Sequence, residues 1–212
     1  MCHERDVADR GKRREGRFIL LVGPDGSGKS TLAGRLVEEL KGRFEGTRRL
    51  HWRPTLLPQA GAFLGRSDED TSTPHAKEPH GRILSTLVLL YYWLDFFLGG
   101  WLKTWVLKRR GELIVLERGW QDIAVDARRY RLQISPRLIF AMASLLPVPD
   151  LILVLEAPTE VLLDRKQEIS AFELERQAVA WRRVPFPRRS KVVYLDASLG
   201  TEQVARSSAQ YI

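Results

Sequence analysis

A single cysteine, Cys2, is all the thiol this chain carries, so no intrachain disulfide can brace it and a reducing, cytoplasmic setting is expected. An apolar leader is missing too. Residues 1–17 hold six basic and four acidic side chains, which excludes a secretory signal reading of this stretch. A flexible basic tail is expected over residues 1–16 and one domain over 17–212. No internal repeat is visible. Acidic residues are in deficit: 26 Asp and Glu face 34 Lys and Arg, a net charge of +8. That excess attracts anions of several kinds without choosing among them. No nucleic-acid-binding module accompanies it, so the expected partner is a small-molecule acceptor, anionic or hydroxyl-bearing, and not a nucleic acid.

What the chain does have is alternation. Apolar runs at Phe18–Val22, Arg48–Trp52, Leu113–Leu116, Leu151–Leu155 and Val192–Leu195 are separated by helix-length segments. Most of these runs are continuously hydrophobic, as strands buried on both faces are. The expectation is a three-layer α/β fold with a five-stranded parallel sheet flanked by helices. Leu32, Leu36, Val37 and Leu40 recur at helical spacing over residues 29–41. Residues 61–81 are rich in Gly, Ser, Thr, Asp and Pro and predict a mobile loop. A long helix over 82–109 follows. Its segment Ile83–Leu102 is long enough to span a bilayer. Asp95 in the middle and the Gly99-Gly100 pair argue instead for a helix largely buried in the domain, with peripheral membrane contact the lesser alternative.

The segment Gly23-Pro24-Asp25-Gly26-Ser27-Gly28-Lys29-Ser30-Thr31 fits G-x-x-x-x-G-K-[ST], after a predicted strand and before a predicted helix. Glycines let backbone N–H groups close around phosphate oxygens, and the helix N-terminus favours the negative charge. Lys29 can reach the β- and γ-phosphates, and the Ser30 hydroxyl can ligate Mg²⁺. ATP and Mg²⁺ are the expected cofactors. Gly23, Arg53, Glu117 and Glu156 all fall at or just past predicted strand ends, where ligands of open parallel sheets bind.

Read together, VGPDGSGKST, WVLKRRGELIVLERG, PDLILVLEAPTEVLLDRKQE and KVVYLDASLGTEQV resemble the thymidylate-kinase-like branch of the nucleoside monophosphate kinases, over roughly residues 17–212. The resemblance implies roles residue by residue. Asp25 is the loop carboxylate that touches the acceptor's sugar. Glu117 and Arg118 replace an Asp-Arg pair, the carboxylate organising Mg²⁺ and the arginine bridging donor and acceptor phosphates. Arg53 grips the acceptor phosphate. Arg165 and Lys166, with Glu168 nearby, begin the lid over ATP, while Ala197 and Ser198 begin the adenine loop. A homodimer through the long helix is also implied.

The sequence departs from that family where the acceptor is read. Asp95 is followed by Phe96 and not by the arginine that reads thymine, although Tyr92 remains available to stack on a base. Beyond Arg118, the segment Asp122, Asp126, Arg128, Arg129, Tyr130, Arg131 replaces the family's usual Ser and Ala-Tyr-Gln elements. Its carboxylates suit sugar hydroxyls and its arginines suit an anion. The expected function is transfer of the ATP γ-phosphate to a nucleoside monophosphate or related nucleotide other than dTMP. A non-nucleotide acceptor such as a sugar or glycan intermediate is one alternative, and an ATP-dependent binding protein of low turnover is another.

Overall fold

Five strands run side by side and parallel: β1 (Arg17–Val22), β2 (Gly46–His51), β3 (Glu112–Glu117), β4 (Leu151–Glu156) and β5 (Lys191–Asp196), in the order β2-β3-β1-β4-β5. The computed structural model describes residues 15–58, 79–165 and 170–212. The expected tail up to residue 14, the expected loop from 61 to 78, and Lys166 with Glu168 lie outside the described residues. The helices are α1 (Lys29–Glu39), α2 (Arg82–Gly99), α3 (Trp105–Arg109), α4 (Trp120–Val125), α5 (Pro136–Ala143), α6 (Thr159–Arg165), α7 (Ala171–Arg182) and α8 (Thr201–Ala209).

Alternate residues of the central strands face opposite layers. Ile19, Leu21, Val115 and Leu153 pack on Leu32 and Leu36 of α1 and on Val204 and Ala205 of α8. Phe18, Leu20, Ile114 and Val154 pack on Leu89 and Phe96 of α2, Trp120 of α4, Ile139 of α5 and Trp181 of α7. Both faces of the sheet are therefore apolar, which is why these strands read as unbroken hydrophobic runs. Strand β2 differs. It is an edge strand of sequence GTRRLH with Arg48, Arg49 and His51 exposed, and it begins two residues earlier than its apolar content suggests.

The long helix occupies the expected span but is not uniformly α-helical: Gly100–Thr104 forms a π segment between α2 and α3. A Cβ on Gly99 would come within 2.5 Å of Pro54 Cβ, and one on Gly100 within 2.7 Å of Pro147 Cγ. The helix is thus pinched between two proline loops, and the glycines allow that approach while the backbone widens just beyond it. Lys103 Nζ donates to the Pro54 carbonyl at 2.9 Å and Trp101 Nε1 to the Leu145 carbonyl at 3.1 Å, fixing both loops to it. By length and composition Arg82–Arg109 could cross a membrane. Yet Asp95, fully buried at its middle, accepts hydrogen bonds from the N–H groups of Leu56 and Leu57 at 2.8 and 2.7 Å. That side of the helix faces protein, but the expected burial of most of the helix does not hold: only one face packs on the sheet, and Ile83, Leu87, Leu90, Leu94, Trp101 and Trp105 are exposed.

Candidate functional site

The turn after β1 wraps with Gly23, Gly26 and Gly28 at φ of 143°, 79° and 83°. A side chain at Gly23 would collide with the Leu155 carbonyl oxygen, so the turn can pass over β4 only as glycine. No side chain caps the eleven-residue α1, which leaves its first N–H groups free to face an anion. Lys29 is buried and folds back into the turn, donating from Nζ to the carbonyls of Gly23 and Pro24 at 2.8 and 2.7 Å and lying 3.5 Å from Ser27 Oγ. Burial first, then the positive charge of Arg118, lowers its pKa to about 8 despite Asp25 and Asp122. Asp25 is also buried and clamped by two arginines: Arg118 Nη2 reaches Oδ1 at 2.5 Å, and Arg129 Nη1 reaches Oδ2 at 2.6 Å. Arg118 sits at φ 62°, in the left-handed region that a non-glycine residue occupies only when its surroundings hold it there.

Glu117 ends β3 beside the turn. Its Oε2 accepts the Ser30 hydroxyl at 2.6 Å, and its Oε1 accepts Arg49 Nε from β2. The β2–β3 register sets His51 directly opposite Glu117, with Nδ1 3.6 Å from Oε2. Burial would raise the Glu117 pKa, but hydrogen bonds from His51, Arg49 and Ser30 together bring it down to about 2. The Ser30 hydroxyl and the Glu117 carboxylate are hard oxygen donors, the type Mg²⁺ prefers. Among the described residues no cluster of three or more His, Cys, Asp or Glu forms a metal cage. A Mg²⁺ that keeps waters and takes substrate phosphate oxygens needs only one or two protein ligands, so this pair fits the ion.

On the β2 side, Arg53 is buried and its Nη1 lies 3.2 Å from Asp95 Oδ2. Its guanidinium carbon stands 5.2 Å from the Trp52 ring centroid and 5.6 Å from that of Tyr92. Trp52 stacks on Tyr130 at 5.0 Å and 22°, and meets Tyr92 edge-on at 4.9 Å. Asp122 is buried, accepting the Gly119 N–H at 2.7 Å. Asp126 is buried too, accepting the Arg129 N–H at 3.2 Å and Gln177 Nε2 at 3.4 Å. Arg128 is exposed. Asp25, Arg118, Arg129 and Lys29 thus converge on one cleft, with Arg53 and Tyr92 held together at its β2 wall, and Asp95 serves as a buried brace for that wall.

The opposite end is more open. Arg165 Nη1 donates to the Ala197 carbonyl at 2.8 Å, tying the end of α6 to the turn after β5. Ser198 is exposed and bonded through its hydroxyl to Asp196 at 2.5 Å. Glu156 pairs with Arg182 of α7 at 2.8 Å and braces the sheet against that helix. Thr31 is exposed on α1. Arg49, His51 and Trp52 did not stand out in the sequence, and Tyr130 did so only as part of the segment after Arg118, with no role of its own. A signal for Trp52 was present in its position immediately before Arg53.

No protein-family model matches the chain. The chain is similar to a probable thymidylate kinase of Metallosphaera sedula. The two are 26% identical over 215 aligned positions, spanning 92% of this chain and 91% of the relative. The match supports a thymidylate-kinase-like relationship over most of the chain, and the α/β fold with its five-stranded parallel sheet agrees with it.

Proposed function

We propose that this chain is a Mg²⁺- and ATP-dependent phosphotransferase. The observation that carries the reading is the convergence of buried Lys29 with the Ser30–Glu117 pair at the carboxyl ends of β1 and β3. Phosphoryl transfer is catalysed mainly by positioning and by neutralising charge on phosphate oxygens. The turn's N–H groups and Lys29 hold the β- and γ-phosphates, while Arg118, directed by Asp25, stabilises the group in flight. Arg165, Ala197 and Ser198 hold the nucleotide's far end, joined by Lys166. Mg²⁺, when bound at Ser30 and Glu117, supplies further positive charge to the phosphates.

Similarity to a probable thymidylate kinase supports a nucleotide acceptor, a nucleoside monophosphate other than dTMP, gripped by Arg53 beside Asp25, Tyr92 and Asp95. A second reading, a sugar-type acceptor, is favoured by one observation: the rings of Trp52, Tyr92 and Tyr130 are packed on one another and on Arg53. The test is ATP turnover with Mg²⁺ across nucleoside monophosphates, sugars and sugar phosphates. Lys29→Ala should abolish turnover and keep the fold by circular dichroism. Arg118→Ala should lower kcat with little change in KM, because its charge acts in the transition state. Unchanged turnover in Lys29→Ala would remove the turn from the chemistry. A homodimer belongs to the same reading. Ile83, Leu87, Leu90, Leu94, Trp101 and Trp105 are exposed at spacings of four, three, four, seven and four, a seam that a two-fold partner could match.

A further inference from the structure

The acceptor side of the cleft has an unusual wall. A planar base is read by stacking on a free ring face, and the Trp52 ring is already engaged by two neighbours. Tyr130 lies 5.0 Å away and nearly parallel, and the Arg53 guanidinium carbon is 5.2 Å from the ring centroid. Tyr92 closes the edge at 4.9 Å and is itself faced by Arg53 at 5.6 Å. Trp52 is held at φ 64°, a conformation that a bulky residue adopts only where the surroundings over-determine it. One buried donor here lacks a hydrogen-bond acceptor among the described residues, Trp52 Nε1, while Arg53 Nη1 is ion-paired with Asp95 Oδ2 at 3.2 Å. A buried donor is rarely left so, and an oxygen of a bound ligand would satisfy it.

We propose that Trp52 sets the acceptor class: its indole fills the space a nucleobase would need, and its Nε1–H donates to an oxygen of the phosphoryl acceptor. The acceptor is then a polyhydroxylated anion without a planar base, a sugar or polyol phosphate, held by Arg53, Arg118 and Arg129. This inference rests on the phosphotransferase reading and, of the two acceptor readings given for it, takes the sugar-type acceptor in place of the nucleotide. The transfer step itself is unaltered. The bond between the γ-phosphorus and the ADP oxygen breaks as an acceptor oxygen bonds phosphorus, and a hydroxyl acceptor passes its proton to a cleft carboxylate, Asp25 or Asp122.

The test is calorimetric titration of dTMP and UMP into the parent protein, Trp52→Phe and Trp52→Ala, each loaded with a non-hydrolysable ATP analogue. The parent and the phenylalanine variant, whose ring still fills the slot, should bind these nucleotides weakly. Trp52→Ala should bind at least about 10-fold more tightly. Should that variant fail to fold, Tyr130→Ala frees one indole face and should show the same gain. Parent binding as tight as that of the alanine variants would overturn the proposal, as would parent turnover of UMP or dTMP with silence toward glucose 1-phosphate and glucose 6-phosphate. A sugar phosphate that stimulates the parent should show a raised KM in Trp52→Phe, which lacks the Nε1 donor, with kcat less affected. Binding of the ATP analogue, read in the same titrations, tests the phosphotransferase reading separately. Its absence in the parent would sink that reading, and the dTMP comparison made without analogue would still decide the role of Trp52.

Discussion

Lys29, with its pKa lowered to about 8 by burial and by Arg118, stands where a bound triphosphate would add negative charge. That charge raises the value again, so ATP binding at about pH 8.5 should draw a proton from solvent through Lys29. At about pH 6.5 the ammonium is protonated in both states, and this uptake should vanish. Calorimetry in buffers of differing ionisation enthalpy measures it, and Lys29→Met should abolish it. Uptake that survives the substitution would have to come from another group. Asp122 runs the other way. Burial, with Asp25 adding to it, pushes its pKa up to about 6 against Arg118, Lys29 and the Gly119 N–H. The folded protein therefore holds this proton more tightly than the unfolded chain, and stability drains away as pH rises from the ordinary carboxylate range through 6. Relative to the parent, Asp122→Asn should gain roughly 2–3 kcal/mol between about pH 4 and pH 7, read by urea denaturation at both values. A difference independent of pH would mean a solvated carboxylate. At this scale the sequence was informative about which residues share the turn after β1 and poor about which side chains meet across the fold. Lys29 and Ser30 are named by spacing along one turn, whereas Arg49 finds Glu117 only through the register of two strands 68 residues apart.

Among the elements, the strands were the most legible, because burial on both faces leaves a hydrophobic run with no competing period. The exception, β2, covers one edge, and its Arg48 and Arg49 blur its start. The long helix was legible in extent and not in shape. Its Gly99-Gly100 pair resembles a helix breaker, but in the fold it is the point where Pro54 and Pro147 press on the helix, a contact no local pattern encodes. Gly99→Ala should therefore cost about 1–3 kcal/mol in thermal or urea unfolding, since Pro54 cannot swing aside as a flexible side chain would. Because Arg53 precedes Pro54, the same variant should also raise KM for the acceptor while leaving ATP affinity unchanged. A silent substitution would show that the loop after β2 slides freely over the helix.

For the whole molecule, the exposed apolar seam along α2 and α3 makes a prediction about assembly. The parent should sediment as a dimer, and Leu87→Glu with Leu94→Glu should sediment as a monomer at the same concentration, its circular dichroism unchanged. A monomeric parent would leave the seam without that partner. Layer order and sheet content could be read from alternation alone, while the packing of Trp52, Tyr92 and Tyr130 could not, because it joins three distant segments. A last consequence concerns the Arg49–Glu117–Ser30 contact. The guanidinium already balances the carboxylate that Mg²⁺ would otherwise have to neutralise, so under the proposed phosphotransferase reading the metal would arrive with the nucleotide and would not be a component of the architecture. Chelation should halt turnover at once yet shift the melting temperature of the ATP-free protein by less than about 2 °C, and returning Mg²⁺ should restore full rate without any refolding step. Proteins folded around their metal behave in the opposite way.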